Sequence, residues 1–145
     1  EQKVEKNYLL NQIFSLLCLK EGKKKIMKKT KMLKKNYEFK TVFNKGKISG
    51  GKYLVAFVKQ NNKKNNMLGI AIGVKIAKAT KRNHLKRLIR ESYRTIEQQV
   101  KDGYAIVFTW RKGAEAENIN YFDVEKDMEK VLKKASVLNL KEEKQ

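Results

Sequence analysis

Apolar residues recur with a helical period at three places in the chain. In the first, Phe39 and Phe43 fall four residues apart with Val42 beside them, so this segment is predicted to form a short helix. We expect Asn36 to cap the helix and Gly46 to end it, because asparagine and glycine favour those two positions.

The other two helical patterns are longer. One is predicted to run from Thr80, its N-cap, to about Val100, and the other to start at Asn120. Both are amphipathic, so each is expected to bury one side. The inward positions are Leu85, Leu88, Ile89, Ser92 and Ile96 in the first of these helices and Val124, Met128, Val131, Leu132 and Ala135 in the second.

Three segments carry the pattern of strands. Residues 52–59 are apolar on both faces, residues 67–76 alternate large and small side chains, and residues 104–110 follow a turn at Asp102-Gly103. Residues 60–66 are predicted to be a polar hairpin loop, and "GKISGG" a flexible turn. In 52–59, Tyr53, Val55 and Phe57 share one side and Leu54, Ala56 and Val58 the other. In 67–76, Leu68, Ile70, Ile72 and Val74 are expected to face the core, and Gly69, Ala71 and Gly73 to admit another backbone.

The resulting order is helix, two strands, helix, strand, helix, which indicates one α/β domain over residues 32–138. Residues 1–31 are predicted to be an extension and 139–145 a tail. The apolar stretch 8–19 is too short for a membrane span and is expected to be an amphipathic helix or disordered. The lysine run 19–35 is expected to be a mobile basic arm. Trp110 is expected to pack, and Tyr53 could belong to the core or to a cleft.

Charge is distributed unevenly along the chain. The formal net charge is +20, and residues 20–100 hold 24 basic and 4 acidic side chains, whereas residues 101–145 hold 9 of each. Between Gly22 and Arg90 the only carboxylate belongs to Glu38. This imbalance points to a polyanionic partner, either nucleic acid or an acidic membrane surface.

The same composition argues against a self-sufficient nuclease. Such an enzyme needs clustered carboxylates for metal ions or a base and acid pair, and this chain has one histidine, His84, without a carboxylate cluster near it. The lone Cys18 cannot form an intramolecular disulfide, which suits a reducing cytoplasm.

The helix after Thr80 concentrates guanidinium groups, because it holds four of the five arginines. Wound as a helix, its cations lie opposite its apolar stripe, and like charges recur one turn apart. Only Arg87 and Glu91 offer a compensating pair at the four-residue spacing. Arginine binds phosphate through two parallel hydrogen bonds and stacks on bases, so this face is expected to bind the phosphate backbone of a nucleic acid rather than only water.

The segment "GVKIAKATKRNHLKRLIRESYR" resembles the signature of the bacterial ribonuclease P protein family. The resemblance covers Met32 to about Leu138. It implies a two-layer α/β (α+β) sandwich with a mixed sheet, in which the arginine helix joins parallel strands by a left-handed crossover. The family pattern has Arg-Asn-Arg where this chain has Arg82, Asn83 and His84, so one fixed charge is replaced by a group largely neutral at pH 7.

The resemblance also implies binding sites for two RNAs. Residues expected to contact the catalytic RNA subunit are Lys81, Arg82, Asn83, His84, Lys86, Arg87, Arg90 and Arg94. Residues expected to hold the single-stranded 5′ leader of precursor tRNA are Phe39, Phe43, Lys52, Val55 and Phe57. Catalysis would belong to the RNA and its Mg²⁺, so no catalytic or metal-binding side chain is expected in the protein.

Three other functions stay open at this point. A ribosomal-type RNA-binding module would have similar charge but no catalytic partner. A self-sufficient nuclease is opposed by the scarcity of carboxylates. A membrane-surface role would use residues 9–19 together with the lysine arm.

Overall fold

The computed structural model describes residues 29–139. Five strands and three helices follow one another in this order: β1 (Thr30–Met32), α1 (Asn36–Lys45), β2 (Lys47–Gly50), β3 (Leu54–Gln60), β4 (Asn66–Ala71), α2 (Ala79–Ile96), β5 (Tyr104–Trp110) and α3 (Tyr121–Lys134). A short 3-10 helix, Glu97–Gln99, follows α2. The predictions for residues 8–19, for the lysine run up to residue 28 and for residues 140–145 lie outside the described residues.

The strands form one mixed sheet in the order β1-β4-β5-β3-β2. β4 is parallel to both β1 and β5, whereas β3 is antiparallel to β5 and β2. Helix α2 connects the adjacent parallel strands β4 and β5, as predicted, and the left-handed sense of that connection stays a prediction.

Helices cover both faces of the sheet. α2 and α3 pack on one face, where their apolar stripes meet alternate residues of β3, β4 and β5, including Leu54, Leu68 and Phe108. α1 lies on the other face against Ala105 and Val107 of β5. All the predicted inward positions of α2 and α3 are buried, as is Trp110. Tyr53 packs against the larger core and stacks on Trp110 with ring centroids 5.8 Å apart.

The expectation of a mobile arm up to Lys35 is wrong for its last residues, because the chain joins the sheet at Thr30. The Thr30 hydroxyl shares a 3.0 Å hydrogen bond with the hydroxyl of Tyr93 in α2, and burial raises the pKa of that phenol to about 12. The buried carboxylate of Glu97 accepts the backbone N–H of Lys29 at 2.7 Å. The predicted domain start at Met32 therefore falls inside β1, which long-range hydrogen bonds fasten in place.

Three other predictions about strands were wrong. Residues 60–66 do not form a hairpin loop, because β5 lies between β3 and β4 in the sheet. Residues of "GKISGG", expected to be a flexible turn, include the edge strand β2, whose Ser49 hydroxyl donates to the carbonyl of Val131 in α3. β4 ends at Ala71, five residues earlier than predicted, so Val74 is 76% exposed instead of facing the core. Short edge strands and strand ends carry too few residues for an alternating pattern to define them.

The helix boundaries differ slightly from the predicted ones. α1 starts at Asn36 with Lys35 as its N-cap, and α2 starts at Ala79 with Lys78 as its N-cap, so neither Asn36 nor Thr80 is the capping residue. In α3 the prediction is confirmed, since the Asn120 side chain accepts the backbone N–H of Asp123 at 2.8 Å. Gly46 ends α1 as predicted.

A buried carboxylate of α3 fixes the start of β3. Asp127 accepts the backbone N–H groups of Lys52, Tyr53 and Leu54 at 2.7, 2.9 and 2.8 Å. Gly51 is required beside it, because a Cβ there would lie 2.5 Å from an Asp127 oxygen. Asp127 thus ties α3 to the sheet through backbone groups that would otherwise be unpaired.

Candidate RNA interface

The outward side of α2 presents an almost uniformly positive surface. We call this surface the cationic face; it comprises Lys81, Arg82, Asn83, His84, Lys86, Arg87, Arg90 and Arg94. The opposite side of the helix is fixed by complete burial of Leu85, Ile89 and Tyr93 in the larger core. Because that burial sets the rotation of the helix, the eight predicted residues lie on its outer side, and each is partly or fully exposed.

One acidic side chain of α2, Glu91, adjoins the cationic face. It pairs with a different arginine from the one that the four-residue spacing suggested. Glu91 accepts from Arg94 at 2.9 Å instead of pairing with Arg87. An acid that precedes its cation agrees with the helix dipole, whereas the Arg87–Glu91 order opposes it. Among residues 29–139, Arg94 is the single cation of α2 with an ion pair, so the other positive charges of the face are not neutralised internally.

The first turn of α2 adds to the positive potential. Its N-cap is Lys78, which makes no side-chain capping hydrogen bond, and the turn contains no acidic residue. Helix N-termini carry partial positive charge that acids normally offset. Here Lys78, Lys81 and Arg82 surround that end instead, which suits an incoming phosphate.

His84 lies on the cationic face between two permanent cations. It is exposed, with Lys81 three residues before it and Arg87 three residues after it. Partial desolvation of the imidazole lowers the pKa of His84 below its ordinary value of 6.5, and the charges of Lys81 and Arg87 lower it further. In the isolated protein the side chain is therefore mainly neutral at pH 7.

The other face of the sheet carries a cluster of aromatic rings next to α1. Phe43 of α1 meets Phe57 of β3 edge to face, with ring centroids 4.8 Å apart, and both rings are only partly buried. Phe39 belongs to the same cluster. Val55 lies two residues before Phe57 in β3 and is half-buried. The structure thus brings together three of the five predicted leader-binding residues, and the strand period puts Val55 on the same side of β3.

Small residues of β4 allow α1 to lie close to the sheet. A Cβ on Gly69 would be 2.6 Å from a ring carbon of Phe39. The prediction that the small side of this strand admits a close neighbour is confirmed in part, because the neighbour is a ring and not a backbone. Phe39 is therefore committed to packing more than Phe43 and Phe57 are.

Lys52 is not brought together with the aromatic cluster. Its ammonium lies 5.1 Å from the centroid of the Tyr53 ring, and both residues line a shallow pocket beside α3 with Lys126 and Lys130. The backbone there turns toward Asp127 before β3 begins, so the alternation of the strand does not extend to Lys52. The structure thus separates Lys52 from the other predicted leader-binding residues, and its contact with the leader stays a prediction.

Sequence reasoning missed three lysines that adjoin these surfaces. Lys75 and Lys78 are exposed in the segment leading into α2. Lys59 follows Phe57 by two residues in β3 and so lies on the same side of the sheet. The strand period could have identified Lys59, whereas the position of the other two depends on where β4 ends.

Within residues 29–139, no group of three or more His, Cys, Asp or Glu side chains is close enough to hold a metal ion. In the same range, no helix is long and apolar enough to cross a membrane.

Comparison with known proteins gives a consistent family. The sequence model of the family described as Ribonuclease P matches residues 27–136. The ribonuclease P protein component of Clostridium botulinum (strain 657 / Type Ba4) is 39% identical over 114 residues, which are 78% of this chain and 100% of that protein. The corresponding protein of Clostridioides difficile (strain 630) is 34% identical over 110 residues, covering 75% of this chain and 95% of its own length.

Solved structures agree with the sequence comparisons. The Staphylococcus aureus RNase P protein superposes with a TM-score of 0.66 at 28% identity, covering 74% of this chain and 97% of that one. The RNase P protein from Thermotoga maritima superposes with a TM-score of 0.65 at 30% identity, covering 72% and 96%.

Proposed function

This chain belongs to the ribonuclease P protein component family, and from that premise we propose that it binds both the RNA subunit and the 5′ leader of precursor tRNA. In this proposal the protein assists removal of the leader, which yields the mature 5′ end of the tRNA. The cleavage itself is assigned to the RNA subunit.

The observation that supports RNA binding is the unneutralised cationic face. Like charges one turn apart destabilise a helix by roughly 0.2–0.5 kcal/mol per pair, and Arg82, Lys86 and Arg90 form such a series. A phosphate backbone removes this repulsion and releases its own counterions. The guanidinium groups add hydrogen bonds in pairs, which a lysine ammonium cannot supply.

The aromatic cluster supports leader binding. Unpaired nucleotides expose the flat faces of their bases, and aromatic side chains bind these faces with little preference for sequence. Phe43 and Phe57 are partly exposed at the border between α1 and the sheet, and Lys59 on the same side can meet phosphates. This combination suits the leader, a single strand whose sequence differs from one precursor tRNA to the next.

Mg²⁺ is assigned to the RNA subunit. The described residues do not fit a protein-bound ion, because their carboxylates do not cluster and the best-buried one, Asp127, is occupied by three backbone N–H groups. The protein is proposed to reduce repulsion between the two RNAs, so that less Mg²⁺ is needed for binding. We assign the reaction to the cytoplasm, in keeping with a single cysteine that cannot form an intramolecular disulfide.

Reconstitution tests this function. The purified chain, a transcript of the ribonuclease P RNA from the same genome and a precursor tRNA transcript are combined at low Mg²⁺. We expect no cleavage by protein alone, weak cleavage by RNA alone, and 5′ maturation when both are present. Robust metal-dependent cleavage by RNA-free protein would refute the assignment.

The leader contact is tested separately by comparing Phe43→Ala with Tyr37→Ala. Both residues lie on α1, but Tyr37 is 61% exposed and lies outside the aromatic cluster. Phe43→Ala is expected to weaken binding of precursor tRNA by about 1–3 kcal/mol, the cost of one stacked base, and to spare mature tRNA. Equal losses for the two RNAs would indicate a folding defect and not a leader contact.

The RNA retained after gentle purification distinguishes a ribosomal-type module. One RNA of the ribonuclease P type supports the proposal, whereas enrichment of ribosomal RNA supports the alternative.

A further inference from the structure

Three residues on one side of the first half of α2 form a row that contains the single histidine of the chain. Lys81, His84 and Arg87 are spaced by three residues, so each lies about one helical turn from the next. Lys81 is half-exposed, and His84 and Arg87 are exposed. A phosphate above the imidazole would therefore lie within reach of two permanent cations.

The acid nearest to this row along the helix is already occupied. Glu91, one turn after Arg87, accepts from Arg94 at 2.9 Å. The charged groups that act on His84 are Lys81 and Arg87, both of which favour its neutral form. Within its own helix the imidazole thus has no anion to stabilise its protonated form.

The elements packed against α2 do not supply such an anion either. α3 carries four carboxylates, of which Asp127 is bound by backbone N–H groups and Glu129 pairs with Lys133 at 3.3 Å. The remaining two, Asp123 and Glu125, are not among the groups that act on His84, and β4 has no ionisable residue. On β1 the ionisable residue is Lys31, another cation, and Glu97 of the 3-10 helix accepts from the backbone of Lys29.

We propose that Lys81, His84 and Arg87 together bind one RNA phosphate, and that the imidazole of His84 takes up a proton when this phosphate binds. This inference rests on the proposed RNA-binding function. The proton comes from solvent, and the product is a third positive charge facing the anion. An arginine at this position would carry that charge at every pH. Histidine makes the third charge depend on both pH and the presence of RNA.

The sign of the pH effect follows from linkage. In the free protein partial desolvation and then the neighbouring cations hold the pKa of His84 low, and a bound phosphate is expected to raise it. Affinity for RNA is therefore highest below the free-state pKa and falls as the pH rises through the bound-state pKa. Each unit by which binding raises the pKa corresponds to about a tenfold difference in affinity between the two limits.

The experiment measures binding of the full chain to a ribonuclease P RNA transcript between pH 5.5 and 8 at fixed ionic strength. The variants are His84→Gln, which stays neutral, and His84→Arg, which stays charged. Lys133→Gln is the matched control, because it removes one exposed cation from α3. We expect wild type and Lys133→Gln to lose affinity with rising pH, and both His84 variants to give flat curves over this range.

A direct readout is available because the chain has one histidine. Its imidazole resonances, followed by NMR with and without RNA, are expected to titrate at a higher pH in the complex. Equal pKa values in the two states, or the same pH dependence in His84→Gln as in wild type, would overturn the inference while leaving RNA binding intact. Failure of every variant to bind RNA at any pH would instead overturn the proposed function.

Discussion

Helices α2 and α3 lie side by side on the same face of the sheet, yet they use charge in opposite ways. α3 has four acids and four bases, an asparagine cap, and a buried aspartate that fastens β3. α2 has six bases, one acid and no side-chain cap. Both bury a similar apolar stripe, so the difference lies in their charged and terminal residues.

The comparison teaches that the two helices are stabilised by different partners. The acids and bases of α3 are equal in number, and some of them have partners within the protein, as in the Glu129–Lys133 and Asp127 contacts. The like charges of α2 repel one another, and in the proposed function an RNA phosphate backbone relieves this repulsion. Substitutions that exchange or remove these features should separate folding from RNA affinity.

The largest expected effect is on folding, from Asp127→Ala in α3. Three backbone N–H groups lose their shared acceptor, and we expect the free energy of unfolding in urea to fall by about 3 kcal/mol. Asp123→Ala, one turn earlier in the helix, is the control and should cost less than about 1 kcal/mol. Equal losses would mean that the Asp127 contacts do not hold β3 in solution.

Arg90→Ala in α2 is expected to have the reverse profile. RNA affinity should fall by about 1–3 kcal/mol, and the salt dependence should lose about one phosphate contact, while stability changes by less than about 0.5 kcal/mol. Lys130→Ala removes an exposed cation from α3 and serves as the comparison. Unchanged affinity of Arg90→Ala, measured by filter binding, would remove α2 from the RNA interface.

The smallest effect comes from giving α2 the kind of cap that α3 has. Lys78→Asp supplies an N-cap acceptor and an anion at the helix start, which should stabilise the fold by about 0.5–1 kcal/mol. The same change should weaken RNA binding, because it replaces a cation at the interface. Asn120→Ala is the mirror experiment: it should lower stability by about 1 kcal/mol and leave RNA affinity unchanged. A Lys78→Asp protein that binds RNA more tightly would contradict the proposed role of this helix end.

The helices and the central strands were predictable because their patterns are long. α2 repeats its apolar positions over five turns, and β5 lies at its predicted residues, 104–110. The strands β1 and β2 were missed because three or four residues at a sheet edge contain no usable period. Their hydrogen bonds join residues far apart in sequence, such as Thr30 with Tyr93, which no local pattern reveals.

The candidate site was predictable to a similar degree. Six of the eight residues of the cationic face follow from the helical period, and Lys81 and His84 were added with the set expected to bind RNA. Phe43 and Phe57 were expected to share one cleft, and the structure places their rings in contact. The position of Lys52 beside α3 was not predictable, because its backbone N–H is held by Asp127, seventy-five residues away. The sequence offers Glu91 two arginines, Arg87 and Arg94. The helix dipole favours the pair with Arg94, and residue composition alone does not reveal this preference.

By itself, the sequence determined which side of each long helix is buried and where the uncompensated charge lies, because both depend on residue type repeated at short spacing. The tertiary structure alone decided which distant segments pair at the sheet edges, which acids are consumed in folding, and that α1 comes close enough to β3 to bring Phe43 to Phe57. Those outcomes depend on packing between residues far apart in the chain. There, a side chain that contacts one partner is no longer available to another.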